Sequence, residues 1–188
     1  KIDITSLEKS GDLFVVTKTQ TLFTGIAFGI SKETKNKIQE TTFLRGKLHG
    51  VYTSWWENGS KKQLGRYKQG IKDSRWVDYY VNGNIASERN YKNGINNGFH
   101  INWHDNGVKK SKGLFKKGKK VGSWTYWDNK GNILNYACIN TDFGQIVVRL
   151  FSDTAPLHTK SFIGHINSGY YNSTIFHRVI PGFIIQGG

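Results

Sequence analysis

The sequence predicts a mainly β chain: a stacked β-hairpin repeat array over residues 1–136, followed by a shorter segment of strands and one helix over residues 137–188. Three observations carry that prediction. Residue columns recur every 24 positions over about 90 residues. Glycine turns separate short runs of Tyr, Trp, Val and Ile, which favour extended backbone. The charge also divides: residues 1–136 hold 24 Lys+Arg against 11 Asp+Glu, and residues 137–188 hold 3 against 2.

The columns fix the register of the array. Gly46, Gly70, Gly94 and Gly118 share the 24-residue step, as do Gly59, Gly83, Gly107 and Gly131. Phe43, Tyr67, Tyr91 and Phe115 form a third column, and Trp55, Tyr79, Trp103 and Trp127 a fourth. Each unit reads as an aromatic run such as 51–56, a turn at Glu57-Asn58-Gly59, a second extended run ending at Tyr67, and a turn at Lys68-Gln69-Gly70. Asn-Gly recurs at 58–59, 82–83, 93–94 and 106–107, a pair suited to tight hairpins because both residues tolerate positive φ. One hairpin is marginal alone, so neighbours must share a core. Alternation puts 53 and 55 on one face and 52, 54 and 56 on the other, and the Trp55 column is the expected buried stripe. Residues 13–46 read as a degenerate leading unit, with a strand at Leu13–Val16 and a long polar hairpin tip over Ser31–Glu40.

These columns resemble bacterial MORN-type repeats, in the variant associated with antitoxin components, over residues 13–136. The resemblance implies an interaction or membrane-associated module and supplies no catalytic residue.

The net charge of +14 points to acidic partners. Lys109, Lys110, Lys112, Lys116, Lys117, Lys119 and Lys120 fall in one hairpin. A solvated face that discourages edge pairing accounts for such a cluster. A patch for anionic lipid or nucleic acid is the sharper reading, and a protein or anionic surface is the partner expected for the basic repeats as a whole. Nucleic acid is disfavoured, because the strict period of the aromatics is a packing pattern rather than a set of stacking platforms. Cys138 is the only cysteine, which excludes an internal disulfide and a cysteine metal site and suggests a buried thiol. His100 and His104 share a strand face about 13 Å apart, too far for one ion, so neither a metal nor a cofactor is expected. No run of 18 apolar residues indicates a membrane helix. The first residue is Lys1, consistent with a trimmed leader, and leaves cytoplasm and cell envelope both open.

In the second segment, Ala137–Asn140 and Gln145–Phe151 read as strands around a turn at Thr141–Gly144. Ser152 or Asp153 offers an N-cap and Pro156 a first-turn proline for a helix over about 155–168, with Phe162, Ile163 and Ile166 as its apolar face. Gly169 stops it. Thr174–Val179 and Phe183–Gln186 are two further strands, split by Pro181-Gly182.

The runs TDFGQIVVRLF, DTAP and GYYNSTIFHRVIPGFIIQGG resemble the start of a cyclophilin-type peptidyl-prolyl cis-trans isomerase. Lys160-Ser161-Phe162 replaces the usual Asn before Phe, and Ile184 stands where Met is common. The resemblance implies the first part of a cyclophilin-like β-barrel and the rotation of X–Pro bonds in proline-containing polypeptides, an aid to protein folding. It implies catalytic roles for Arg178 and Gln186: Arg178 donates towards the proline nitrogen and Gln186 holds the substrate backbone. Phe183 and Ile184 become substrate-binding walls of the proline pocket, and His177 a structural residue. The family's far wall comes from later residues, a Phe, a Trp and a His. About 50 residues of a domain of roughly 150 are represented, so an incomplete barrel and little or no turnover by residues 1–188 alone are expected. The alternative function is a non-enzymatic repeat module that binds a protein, anionic lipid or nucleic acid.

Overall fold

The structure, a computed structural model, describes residues 1–152, 154–182 and 184–187; for Ser123, Cys138, Gln145 and Ile185 it describes the backbone only. The expected burial of the Cys138 thiol and a cap at Asp153 therefore lie outside the described residues. The chain separates into two compact units, Lys1–Ile133 and Leu134–Gly188. No helix among the described residues is long and apolar enough to cross a membrane.

The first unit opens with β1 (Ile2–Asp3), a 3₁₀ turn at Ile4–Ser6, and a three-stranded sheet of β2 (Leu7–Ser10), β3 (Leu13–Val16) and β4 (Thr21–Leu22). A meander follows: β5 (Gly25–Ile30), β6 (Lys37–Leu44), β7 (Lys47–Trp55), β8 (Lys61–Lys68), β9 (Ile71–Tyr79), β10 (Ile85–Lys92), β11 (Ile95–Trp103), β12 (Lys109–Lys116) and β13 (Lys119–Trp127). Neighbours in sequence pair antiparallel, and β1 adds parallel to β5. The starts of β7, β9, β11 and β13 keep the 24-residue step. The leading hairpin has its tip at 31–36, shorter than expected, because Lys37–Glu40 already pairs with its neighbours. Ser31 closes that tip by accepting the Glu33 and Thr34 N–H groups, both at 3.2 Å.

The small sheet closes the leading end of the array. Phe23 and Phe43 are buried with Ala27, and Phe14 meets Phe43 edge-on at 5.1 Å. The Phe14 N–H donates to the Gly46 carbonyl and the Gly46 N–H to that of Phe23, so the hairpin turn itself is tied to the cap.

Two kinds of turn alternate, and they use glycine differently. At 45–46, 69–70, 93–94 and 117–118 both residues take positive φ, as at Asn93 (52°) and Gly94 (77°). At 58–59, 82–83 and 106–107 only the glycine does. There the asparagine works through its side chain. Asn82 Oδ1 accepts the Asn84 N–H at 3.0 Å, an Asx turn, while its Nδ2 donates to the Asp105 carbonyl of the next hairpin at 2.8 Å. Asn58 reaches the Val81 carbonyl and Asn106 that of Asn129 in the same way. Beside them Trp56, Tyr80 and His104 each bond a carbonyl 23 residues on. A carbonyl only accepts, so His104 Nε2 carries the proton. The opposite rim is stitched through backbone: the Gly70, Gly94 and Gly118 N–H groups donate to the carbonyls of Leu48, Lys72 and Asn96.

The buried stripe is not the Trp55 column. Trp55, Tyr79, Trp103 and Trp127 are half-buried, as are Tyr52, His100 and Trp124; Trp76, 1 % exposed, marks the buried face. The aromatic stripe follows Tyr52, Trp76, His100 and Trp124, with Tyr67, Tyr91 and Phe115 beside it. The reason is what lies opposite. Gly65 and Gly113 leave room for the indoles of Trp76 and Trp124, which fill the space a Cβ would need. The Trp55 face has no such glycine floor, and the Trp55 ring instead lies under Lys37 Nζ at 4.7 Å.

In the second unit, β14 (Ile133–Thr141) and β15 (Gly144–Leu150) form a hairpin in continuous register from Asn135↔Leu150 to Thr141↔Gly144. Helix α1 (Pro156–Asn167) follows, then the hairpin of β16 (Phe176–Ile180) and β17 (Ile184–Gly187). The helix is capped at Ala155 without a side-chain bond, so Ser152 is not its N-cap; Ser152 Oγ instead accepts from Asn135 Nδ2 at 2.6 Å. Proline at the start of α1 needs no such bond for its own missing N–H. Gly169 follows the helix with φ 75°, as a stop signal should. Among the described helix residues only Thr159 is buried. Of the expected apolar face, Phe162 and Ile163 are half-buried and Ile166 is exposed.

Candidate active site

The β16–β17 hairpin brings two of the singled-out residues face to face. Arg178 and Gln186 are direct cross-strand partners, and Ile180 pairs with Ile184 two positions towards the turn. Alternation places Arg178, Gln186, Ile180 and Ile184 on one face of the hairpin. Opposed Cβ atoms in an antiparallel pair stand about 4.5–5.5 Å apart, so the guanidinium and the carboxamide work over the same patch. Both residues are exposed, and Ile184 is half-buried. Phe183 lies outside the described residues. The register shifts between Phe176 and Arg178, at exposed His177. Such an irregularity re-aims the side chains that follow it.

The local sequence explains the pairing. Pro181-Gly182 breaks the extended run, with φ 73° at Gly182, and returns the chain so that the β-branched residues Val179, Ile180, Ile184 and Ile185 pair around it. Gly187, opposite Phe176, has the ring and the Ile175 carbonyl where a Cβ would stand.

All five residues of β16 are exposed. The hairpin is therefore a one-sided platform among the described residues: a guanidinium, a carboxamide and an apolar wall, with no group facing them. A separate cleft of about 520 Å³ lies between β15 and α1, lined by Leu150, Phe151, Thr159, Phe162, His165 and Tyr171. Arg178, Gln186 and Ile184 do not line it. Sequence reasoning missed this cleft; the Tyr170-Tyr171 pair is its visible signal, since Tyr171 meets Phe162 at 5.2 Å and Tyr170 packs on His165 at 4.9 Å.

Among the described residues no three of His, Cys, Asp and Glu converge as a metal site. His100 lies on β11 and His104 just beyond its end, so they do not share the strand face expected of them: His100 sits in the aromatic stripe and His104 ties the rim.

Residues 136–188 match the family model for cyclophilin type peptidyl-prolyl cis-trans isomerases, and residues 48–69 and 72–93 match that of a MORN repeat variant. Both resemblances read from the sequence are borne out over those residues. Peptidyl-prolyl cis-trans isomerase A of Dickeya dadantii is 49% identical over 53 residues, 28% of this chain and 28% of that protein. Peptidyl-prolyl cis-trans isomerase B of Escherichia coli is 53% identical over 49 residues, 26% of this chain and 30% of that one. A peptidyl-prolyl isomerase of Neurospora crassa, cwc-27, is 52% identical over 52 residues, 28% of this chain and 10% of its own length. The chain thus spans under a third of these relatives.

Proposed function

We propose that residues 136–188 supply the donor wall of a peptidyl-prolyl cis-trans isomerase site. The observation that carries this reading is the direct pairing of Arg178 with Gln186 above Ile184 on one exposed face. Rotation about an X–Pro bond is opposed by amide resonance, with a barrier of about 18–20 kcal/mol for a peptide bond. In the twisted state the proline nitrogen regains its lone pair. The Arg178 guanidinium, always charged and rigidly planar, donates to that lone pair without any proton transfer. Gln186 accepts and donates to the substrate backbone and so fixes the bond under the guanidinium. Ile184, with Phe183 by resemblance, receives the apolar proline ring. Donation that strengthens only as the bond twists is what accelerates the step.

A preorganised donor of this kind contributes about 3 kcal/mol to the transition state. Arg178→Ala in the protein that carries this segment should therefore lower kcat/KM for an X–Pro peptide about 100-fold, with the peptide still bound. Turnover that survives the substitution unchanged would overturn the assignment. Residues 1–188 assayed alone should turn the peptide over poorly, because the described residues present a single wall.

The repeat array serves in this reading as a binding module that localises the isomerase or presents proline-containing polypeptides to it. The excess of 13 positive charges over residues 1–136 supports an acidic partner or surface.

A further inference from the structure

We propose that the face of the array carrying Trp55, Tyr79, Trp103 and Trp127 binds an extended, β-linked acidic polysaccharide. This rests on the reading of the repeats as a binding module, names its ligand, and is independent of the isomerase reading. The packing of the array does not account for this column. Among the described residues none of its four rings meets another ring, whereas Tyr52, Trp76, His100 and Trp124 all do. The polar atoms differ too. Trp76 Nε1 donates to the Arg66 carbonyl and Trp56 Nε1 to that of Tyr79. The Nε1 groups of Trp55, Trp103 and Trp127 and the Tyr79 hydroxyl have no hydrogen-bond partner among the described residues, and none of these atoms is buried.

Successive rings stand on every second strand, about 10 Å apart. That spacing is held by the rim tethers. Trp56 Nε1, the Tyr80 hydroxyl and His104 Nε2 donate to the carbonyls of Tyr79, Trp103 and Trp127 at 3.2, 2.7 and 3.0 Å. Three of the four rings are thus positioned through their own backbones before any ligand arrives, which lowers the ordering cost of binding. Trp55 has Lys37 Nζ over its ring at 4.7 Å, so the open row runs from Tyr79 to Trp127.

Geometry and charge select the occupant. A pyranose has an apolar C–H face, which stacks on the electron-rich face of an aromatic ring, and hydroxyls that accept from indole N–H and phenol O–H. A β-linked chain turns each sugar over relative to the last. Like faces therefore recur at every second sugar, a repeat close to that of alternate strands. Nucleic acid brings a base and a phosphate at every residue, a shorter period than one ring per two strands. Exposed Lys61 and Lys109 are the direct cross-strand partners of Trp55 and Trp103, so an ammonium stands on the same face beside each indole. A carboxylate on alternate sugars meets that pattern, and the excess of 13 positive charges over residues 1–136 favours it at longer range.

The test is calorimetric titration of the 188-residue chain with a hyaluronan octasaccharide, which is β-linked and carries a carboxylate on every second sugar. Binding is expected, and should be lost with the hyaluronan disaccharide, which spans one ring. A chitin hexasaccharide, β-linked but neutral, should bind more weakly. Trp103→Leu/Trp127→Leu should weaken octasaccharide binding on the order of a hundredfold, from about tenfold for each ring. Trp103→Tyr, which installs the residue type already present at Tyr79, should retain most of it. Lys61→Gln/Lys109→Gln should bring the affinity for hyaluronan towards that for chitin and leave chitin binding unchanged. Melting temperatures control for folding; if the leucine variant does not fold, the lysine pair and the dependence on chain length decide. No binding of the octasaccharide, equal binding of the disaccharide, equal affinity for the neutral chain, or undiminished binding in a folded leucine variant would overturn the proposal. Capture of single-stranded DNA in place of the glycans would overturn it while leaving the binding-module reading standing. The readout is glycan binding, so a chain without isomerase turnover can still pass or fail it.

Discussion

Gly65 lies against the indole face of Trp76, so close that a Cβ on Gly65 would enter the ring at Cδ2 and Cε2. Gly113 stands in the same relation to Trp124, 48 positions further on. The ring in turn is fixed by its own polar atom, since Trp76 Nε1 donates to the Arg66 carbonyl at 3.1 Å. Indole and glycine form one packing unit, and neither can change alone. Gly65→Ala should cost about 1–3 kcal/mol, the usual penalty of overpacking, read as a lower urea midpoint with an unchanged slope. Wild-type stability in this variant would show that the indole has room to move.

The hairpin pair between these two uses a different solution to the same problem. Where its neighbours have Gly and Trp, it has Arg89 and His100, which are cross-strand partners. Arg89 Nε donates to His100 Nε2 at 3.2 Å, and Asp78 lies 3.6 Å from the guanidinium. Asp78 also accepts from Gln63 and Ser87. His100→Trp alone should clash with the Arg89 side chain, and Arg89→Gly alone should open a gap and leave Asp78 without its cation. Arg89→Gly/His100→Trp restores the pairing of the flanking hairpins. A double-mutant cycle should give a favourable coupling of at least about 1 kcal/mol; additive losses would refute the equivalence of the two pairs.

His100 also makes the array sensitive to acid. Burial first, and then the neighbouring Arg89, push its pKa below the ordinary value of 6.5; Lys120 acts in the same sense and Asp78 against it. Its accepting bond from Arg89 likewise requires a neutral ring. The unfolded chain therefore binds the proton more readily than the folded one near and below pH 6.5, and stability rises with pH in that window. The contribution should be complete above about pH 6.5 and be lost progressively as the pH falls towards the lowered folded value. Chemical denaturation at several pH values should show this slope, and His100→Asn should flatten it. An identical slope in the variant would assign the acid sensitivity elsewhere.

Much of this fold was legible in the sequence, and what was hidden was hidden for a physical reason. The 24-residue columns located both sets of turns, but the strands begin at 47, 71, 95 and 119, ahead of the expected aromatic run such as 51–56. The buried face was not legible, because an even period preserves alternation on both faces and both carry aromatic columns. Only the small residues of the adjacent strand, Gly65 and Gly113, distinguish them, and they are conspicuous once register is known. The Asn-Gly turns were located correctly, but their mechanism at 58–59, 82–83 and 106–107 is a side-chain tether between hairpins. At the site, Pro181-Gly182 fixed the return of the chain, and with it the pairing of Arg178 and Gln186. What stands across from that pair is a property of tertiary packing, which local pattern does not encode.

A third glycine column escaped notice because one of its members is not glycine. Residues 50, 74, 98 and 122 all take positive φ, at 96°, 59°, 119° and 63°, and Ser74 is the exception in chemistry. These positions sit by the register shifts that recur between the paired strands. A left-handed conformation costs a residue with a Cβ about 1–2 kcal/mol. Ser74 recovers part of that through its hydroxyl, which donates to Asp73 Oδ2 at 2.8 Å. Glycine carries no such penalty but loses more chain entropy on folding, roughly 0.5–1 kcal/mol. Ser74→Gly should therefore stabilise the array, by an amount of about 0.5–1 kcal/mol left after that offset, and Ser74→Val should destabilise it by more than 1 kcal/mol because a β-branched residue tolerates positive φ least. Thermal melts of the two variants should move in opposite directions from wild type. A loss of stability in Ser74→Gly would mean that the hydroxyl bond to Asp73 outweighs the backbone strain, and that the one serine of this column stands there for its side chain.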